Sequence, residues 1–193
     1  EIAGYGTDLY AVWQEGDWQG NEIFLSKRTA GADWQEKIAI ATDQYPHLAA
    51  SSSGIHLIYG GYTTARYIRS TDGGASWSTP IEFTGANYPA RYAQMRADDD
   101  YIYLVYNDYT PPESDNVCFR RMHKNAAEWE APVQIFTHSA YKSTIYIKDL
   151  EIRGNNMYLT AYGQSWYGGF STPYYYESND GGATWTEYAP SGD

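Results

Sequence analysis

The sequence predicts an all-β chain: a β-propeller of four-stranded antiparallel blades, with four blades in its 193 residues. Three observations carry that expectation. An eight-residue turn signature occurs twice in full, tryptophans recur at blade-length intervals, and one hairpin pattern repeats upstream of them. Aromatic residues make up 17% of the chain, with 21 Tyr and 7 Trp, and such flat side chains suit a pleated, half-buried surface. No long helical periodicity competes with the strand pattern.

The signature is S-x-D-x-G-x-x-W. It is complete in Ser70-Thr71-Asp72-Gly73-Gly74-Ala75-Ser76-Trp77 and in Ser178-Asn179-Asp180-Gly181-Gly182-Ala183-Thr184-Trp185. Eroded copies end at Trp34, where Gly31 keeps the glycine, and at Trp129, where Lys124 and Ala126 replace the Asp and the Gly. The four tryptophans therefore recur at intervals of 43, 52 and 56 residues. Upstream, residues 2–13 align with 48–59 without a gap, and later copies of the same hairpin run through 101–106 and 157–162. Each unit reads as a short strand, a Gly or Asp turn, an alternating strand, a variable loop, a third strand, the signature turn and a fourth strand. Four strands per roughly 50 residues is a propeller blade, with approximate blades at 1–43, 44–85, 86–138 and 139–193.

Each fixed letter of the signature has a mechanical reason. Glycine permits positive φ, while the Asp carboxylate and the Ser hydroxyl can hold turn N–H groups. The trailing Trp can bury on the order of 200 Å², worth roughly 5 kcal/mol as an upper bound. Ser70, Asp72, Gly74 and Trp77, with Ser178, Asp180, Gly182 and Trp185, are thus expected to be structural residues.

These turns resemble those of the Asp-box, or bacterial neuraminidase repeat, propellers. That sialidase-like superfamily includes sialidases, some xyloglucan hydrolases, sorting-receptor ectodomains and many secreted proteins. The resemblance covers essentially the whole chain and implies an extracellular, secreted or cell-surface setting. Members generally close with six or more blades, whereas this chain supplies four. Glu1 also aligns with His47, just past the Pro46 that opens the next blade. The chain is therefore expected to be a partial propeller, or one half of a larger dimeric ring. An open arc leaves sheet faces exposed, so self-association, or further blades completing the ring, is expected.

Composition narrows the partners. With 24 acidic against 13 basic residues the formal charge is −11, which repels phosphate backbones and argues against nucleic acid. No run approaches the roughly 18 apolar residues that span a bilayer, so membrane insertion is not expected. Cys118 is the single cysteine and reads as a buried strand thiol. His47, His56, His123 and His138 lack metal-ligand spacing, Asp98-Asp99-Asp100 reads as a turn, and no nucleotide or hydrolase-triad motif occurs, so no metal or cofactor is expected.

In such a blade the signature turns and the first-hairpin turns share one end of the propeller, and the second-to-third-strand loops open at the other. Those loops, expected at 14–21, 60–65, 107–116 and 163–173, carry the candidate ligand-binding residues Trp18, Tyr62, Tyr109, Trp166 and Tyr167. Phe170, Asp17, Asp108, Glu113 and Asp115 lie in the same segments. Aromatic platforms beside carboxylates suit sugar rings and hydroxyls.

The sialidase resemblance implies three arginines on a substrate carboxylate, a Tyr nucleophile activated by Glu, and an Asp acid/base. The Arg-Ile-Pro sequence that normally carries the first arginine is missing. Its nearest equivalent, Tyr88-Pro89-Ala90-Arg91, is expected to put Arg91 in a first strand near the central tunnel. Arg66, Arg96 and Arg153 are the other candidates, Arg69 reads as a strand residue, and Asp149 and Glu151 alternate on one strand face. With no catalytic residue identified, the expected function is a non-catalytic propeller module that binds glycan or protein through its loop end, or serves as a structural repeat unit. The alternative is a fragment of a glycoside hydrolase, a retaining exo-sialidase completed by other blades.

Overall fold

The structure, a computed structural model, describes residues 1–17, 20–61, 64–84, 90–110, 114–138, 143–165 and 172–188. Among the described residues, sixteen strands form four antiparallel four-stranded sheets, each an up-and-down meander in sequence order. Blade 1 holds β1 (Ile2–Tyr5), β2 (Asp8–Asp17), β3 (Gly20–Thr29) and β4 (Ile38–Ala41). Blade 2 holds β5 (His47–Ser51), β6 (Gly54–Gly60), β7 (Thr64–Ser70) and β8 (Ile81–Thr84). Blade 3 holds β9 (Gln94–Ala97), β10 (Tyr101–Thr110), β11 (Ser114–His123) and β12 (Val133–His138). Blade 4 holds β13 (Ser143–Arg153), β14 (Asn156–Ser165), β15 (Thr172–Ser178) and β16 (Thr186–Glu187). The first strands pack in succession, β1 on β5, β5 on β9 and β9 on β13, so they line the inside of an arc.

Period-two alternation gives each blade two faces. One, here the leading face, meets the preceding blade, and the trailing face meets the following one. Leu57 and Ile68 are cross-strand partners on the leading face of blade 2, and Ile58 and Tyr67 are partners on its trailing face. Both faces are apolar because both are covered. The buried residues accordingly fall into three clusters, one for each junction between successive blades. Each junction takes one signature tryptophan: Trp77 between blades 1 and 2, Trp129 between 2 and 3, and Trp185 between 3 and 4. Trp129 stands edge-on to Tyr67 at 5.3 Å and to Phe83 at 5.4 Å, and Trp185 to Phe119 at 5.6 Å. The eroded third turn therefore keeps its docking function after losing its Asp and Gly. Trp34 meets no preceding blade among the described residues and is 42% exposed.

The two complete turns are superimposable in their bonding. Ser70 Oγ accepts from Gly74 N at 2.8 Å and donates to Asp72 Oδ1 at 2.7 Å, while Asp72 Oδ1 accepts from Ser76 N at 2.9 Å. Ser178, Asp180, Gly182 and Thr184 repeat these bonds at 2.9, 2.8 and 2.9 Å. Hydrogen bonds from Ser76 and Thr184 hold the Asp72 and Asp180 carboxyls down to about 2. The glycines serve twice. Gly74 has φ 95° and Gly182 φ 89°, and a Cβ at either would lie 2.6 Å from Leu25 or 2.2 Å from Phe119 on the preceding blade.

A second tie crosses each junction. Gln35, Ser78 and Glu130, each just after a signature tryptophan, bond through N–H to the carbonyls of Lys27, Arg69 and Arg121, which makes these three cations register-equivalent. Each reaches the next blade's turn. Arg69 donates to the Lys124 carbonyl, Arg121 to the Gly181 carbonyl at 3.0 Å, and the Lys27 ammonium lies against Gly73. Arg69, expected only as a strand residue, is also an interblade tie.

In blades 1 and 3 strand pairing runs further than the expected loops allow. The ladder continues to Asp17 opposite Gly20 in blade 1 and Thr110 opposite Ser114 in blade 3, so these second hairpins are tighter than the sequence suggested, whereas in blades 2 and 4 it ends at Gly60 opposite Ala65 and Gly163 opposite Thr172, at the expected loops. Asp98-Asp99-Asp100 is a turn: Asp98 Oδ1 accepts from Asp100 N and Tyr101 N, both at 2.8 Å. Cys118 is buried.

His56 is fully buried on the trailing face of blade 2, with Nδ1 2.7 Å from the Tyr67 hydroxyl and Nε2 3.0 Å from Ser53 Oγ. Burial first, and Arg69 second, depress it to about 3. Between that value and the unfolded value near 6.5, the unfolded chain binds the extra proton, so stability falls as the pH drops through this window. Urea midpoints should decline from pH 6.5 toward pH 4, and His56→Gln should flatten that decline. Gly74→Ala combines backbone strain with overpacking against Leu25, and urea unfolding should show a loss of about 2–4 kcal/mol.

Candidate functional site

The signature turns and the first-hairpin turns occupy one end of the arc, tied together by Gly181 N donating to Asn155 O and Lys124 Nζ to Asp99 O. The opposite end carries the second hairpins and the connectors between blades. Two connectors there, 42–46 before β5 and 90–93 before β9, place a group of aromatic and cationic side chains.

Gln44 O accepts from Gly60 N at 2.8 Å, fixing the first connector to the end of β6. The next residue, Tyr45, has φ 52°, the one positive value at a non-glycine among the described residues. Its N–H donates to Gln14 Oε1 of blade 1 at 2.8 Å, which holds the strained backbone in place. The Arg91 guanidinium lies 5.7 Å from the Tyr45 ring and 5.0 Å from the Tyr92 ring. Tyr92 meets Tyr146 of β13 at 4.7 Å and 64°, and Tyr146 stacks on Tyr162 of β14 at 4.7 Å and 12°. Lys148, at a bulge in β13, sits 4.5 Å from the Tyr162 ring. The result is a tyrosine row from blade 2 to blade 4 with an exposed arginine and an exposed lysine upon it.

Such a row offers ring faces for the C–H faces of sugars, phenols that donate and accept, and two cations for oxygen-rich groups. Burial raises the Tyr92 phenol, so it stays protonated across the ordinary pH range. Nearby carboxylates are committed elsewhere: Asp43 accepts from Arg66 at 2.9 Å, Glu82 from Arg66 at 3.0 Å, and Asp149 from Arg96. On β10, burial raises the Asp108 carboxyl, and Arg120 offsets this only in part.

Several sequence expectations are relocated. Arg91 lies in the turn before β9, which begins at Gln94, and not in a first strand, because the 90–93 connector closes through Ala93 N to Ala90 O before the ladder starts. Tyr109 lies within β10, opposite Asp115, and not in a loop. Trp18, Tyr62, Trp166 and Tyr167 lie outside the described residues. Arg66, Arg96 and Arg153 are each paired with carboxylates, the last with Glu151 at 3.2 Å. Tyr45, Tyr92, Tyr146, Tyr162 and Lys148 were not singled out from the sequence. The signal that could have found the connectors is the repeated Tyr-Pro of Tyr45-Pro46 and Tyr88-Pro89.

Left-handed backbone at Tyr45 is tolerated by glycine and resisted by any Cβ. Tyr45→Gly should therefore unfold at higher urea than Tyr45→Ala, by about 1 kcal/mol.

No family model matches the chain, and no curated protein matches it in sequence. Solved structures do match. The ulvan lyase of polysaccharide lyase family PL25, bound to -[GlcA(1-4)Rha3S]-, has a TM-score of 0.66 at 12% identity over 92% of this chain and 50% of its own. An endo-1,4-beta-xylanase from Bacteroides thetaiotaomicron has a TM-score of 0.63 at 13% identity over 100% of this chain and 72% of its own. The catalytic domain of the Coprinopsis cinerea GH62 alpha-L-arabinofuranosidase has a TM-score of 0.56 at 12% identity over 96% of this chain and 65% of its own. The chain thus spans about half to two thirds of the length of most of these proteins. At such identities the likeness shows the fold alone: this chain's four four-stranded blades are a β-propeller arrangement of the kind found in glycan-active enzymes.

Proposed function

We propose that the chain is a non-catalytic, extracellular glycan-binding module of the sialidase-like, Asp-box type. The observation that carries this reading is the row Tyr45–Arg91–Tyr92–Tyr146–Tyr162–Lys148, which puts ring faces and cations on one end of the arc. The engagement of Arg66, Arg96 and Arg153 with carboxylates supports binding over the three-arginine chemistry of a sialidase. Structural likeness to glycan-active propellers supports a sugar as the ligand class. Among the described residues no helix is long and apolar enough to cross a membrane.

Titration calorimetry against xylotriose, cellotriose and a sialyl oligosaccharide tests the reading. At least one should bind, and Tyr92→Ala and Arg91→Ala should each weaken it about tenfold, equivalent to 1.4 kcal/mol, with the melting temperature nearly unchanged. Binding that ignores both substitutions would remove the row as the site. One observation favours a hydrolase as the second reading: the raised carboxyl of Asp108 is suited to general acid work. Turnover of a fluorogenic sialoside or arabinofuranoside, abolished by Asp108→Asn, would replace the binding reading.

A further inference from the structure

The junction between blades 2 and 3 departs from the other two at three register positions. On the third strand, opposite Leu57, Leu104 and Leu159, blades 2, 3 and 4 carry Ile68, Arg120 and Tyr176. Ile68 and Tyr176 are 3% and 2% exposed, so blade 3 places a cation where its sisters place core side chains. On the second strand, two residues beyond the equivalent Tyr59, Tyr106 and Ala161, blades 2 and 4 have Gly61 and Gly163 and blade 3 has Asp108. Across the junction, the trailing face of blade 2 carries Ala65, opposite Gly60, where blades 1 and 3 carry the larger Ile23 and Val117, opposite Gln14 and Asn107.

The Arg120 guanidinium lies 5.6 Å from the Phe83 ring of blade 2 and 5.7 Å from the Tyr106 ring of its own blade. Its Nε is buried and has no hydrogen-bond partner. Arg66, Arg96, Arg121 and Arg153 are ion-paired, whereas Arg120 pairs with none of the described carboxylates, Asp108 included. Drawing a guanidinium out of water without a paired anion costs stability, so an apolar residue would serve the junction better as packing. A rule of the repeat broken without structural gain marks a functional position. Two rings hold the fork in place and leave N–H capacity unused. Asp108 and Arg120 act on each other through space and are both half-buried, and Tyr45 of the tyrosine row packs against the same cluster as Phe83 and Tyr106.

A donor and an acceptor that face one another without pairing, flanked by rings, fit adjacent hydroxyls. One hydroxyl accepts from the guanidinium, its neighbour donates to the carboxylate, and the C–H face of the sugar lies on a ring. An acidic sugar would gain at Arg120 and lose at Asp108. We propose that Phe83, Tyr106, Asp108 and Arg120 form a subsite between blades 2 and 3 that binds vicinal hydroxyls of an uncharged sugar residue, extending the tyrosine row outward along the junction. This assignment deepens the glycan-binding reading and rests on it.

An arginine Nε–H shielded from water gives its own proton–nitrogen correlation in NMR, identified here by its loss in Arg120→Leu. Titrating isotope-labelled protein with xylotriose or cellotriose should shift this signal, and a sialyl oligosaccharide at equal concentration should shift it less. In calorimetry, Asp108→Asn and Arg120→Leu should each weaken the neutral oligosaccharide about tenfold. Arg120→Lys, which keeps the charge and removes the fork, should do the same and replaces Arg120→Leu if that variant fails to fold. Arg120→Leu should hold or raise the urea midpoint, since it restores the apolar residue of the sister junctions; a clear fall would make Arg120 a packing strut and overturn the proposal. Neutral binding that needs Tyr92 but leaves the Arg120 signal unmoved overturns the subsite and keeps the row. A signal moved by the neutral sugars with affinity indifferent to Tyr92→Ala removes the row and keeps the subsite. A signal moved by the sialyl oligosaccharide alone, or no binding of any of the three, also overturns the proposal.

Discussion

The structure depends on one contact: the backbone of a signature turn pressed against the trailing face of the blade before it. At Gly74 and Gly182 that backbone comes so close to Leu25 and Phe119 that no Cβ fits. The turn must also take positive φ at the same residue. Ser70 and Asp72, and their counterparts Ser178 and Asp180, supply hydrogen bonds within the turn that fix this shape. The motif is therefore a plug held largely by its own side chains, and its tryptophan extends the plug into the junction. A blade is a flat sheet with two apolar faces, so correct orientation of its neighbour is what turns four meanders into one arc.

Polar groups reinforce the same contact. Cations at Lys27, Arg69 and Arg121 reach the next turn, two of them at its carbonyl groups, which hairpin pairing leaves without an internal partner. Surface ion pairs such as Arg66 with Glu82 contribute little by comparison, because solvent screens them. The buried His56 trades a hydration shell for two hydrogen bonds and stays neutral. Stability is thus concentrated at the junctions and at the signature end, and acid acts on it through His56 first and through Asp72 and Asp180 at lower pH.

The scaffold was legible in the sequence because its constraints are local. Glycine, serine and aspartate within five residues fix a turn, and strand alternation fixes which side chains meet. Docking of Trp129 was less legible, since its turn had lost the letters while keeping the indole. The cationic ties were hidden by register: Lys27 stands seven residues before its tryptophan, whereas Arg69 and Arg121 stand eight before theirs. The tyrosine row was not legible at all. Its members come from two connectors and two strands, so no spacing links Tyr92 to Tyr146, and the strain at Tyr45 depends on Gln14, 31 residues away.

The two ends of the arc differ in what holds them. At the signature end, the Ser and Asp side chains of both complete motifs bond the turn backbone. At the opposite end Gln44 is tied to Gly60 and Tyr45 to Gln14, while rings and cations stand together on the surface. The Ser and Asp of the motif are engaged in their own turn, whereas at the other end strained backbone stands beside exposed Arg91 and half-buried tyrosines. The signature therefore serves the frame, and the proposed glycan-binding role rests on Tyr45, Arg91 and Tyr92 at the other end.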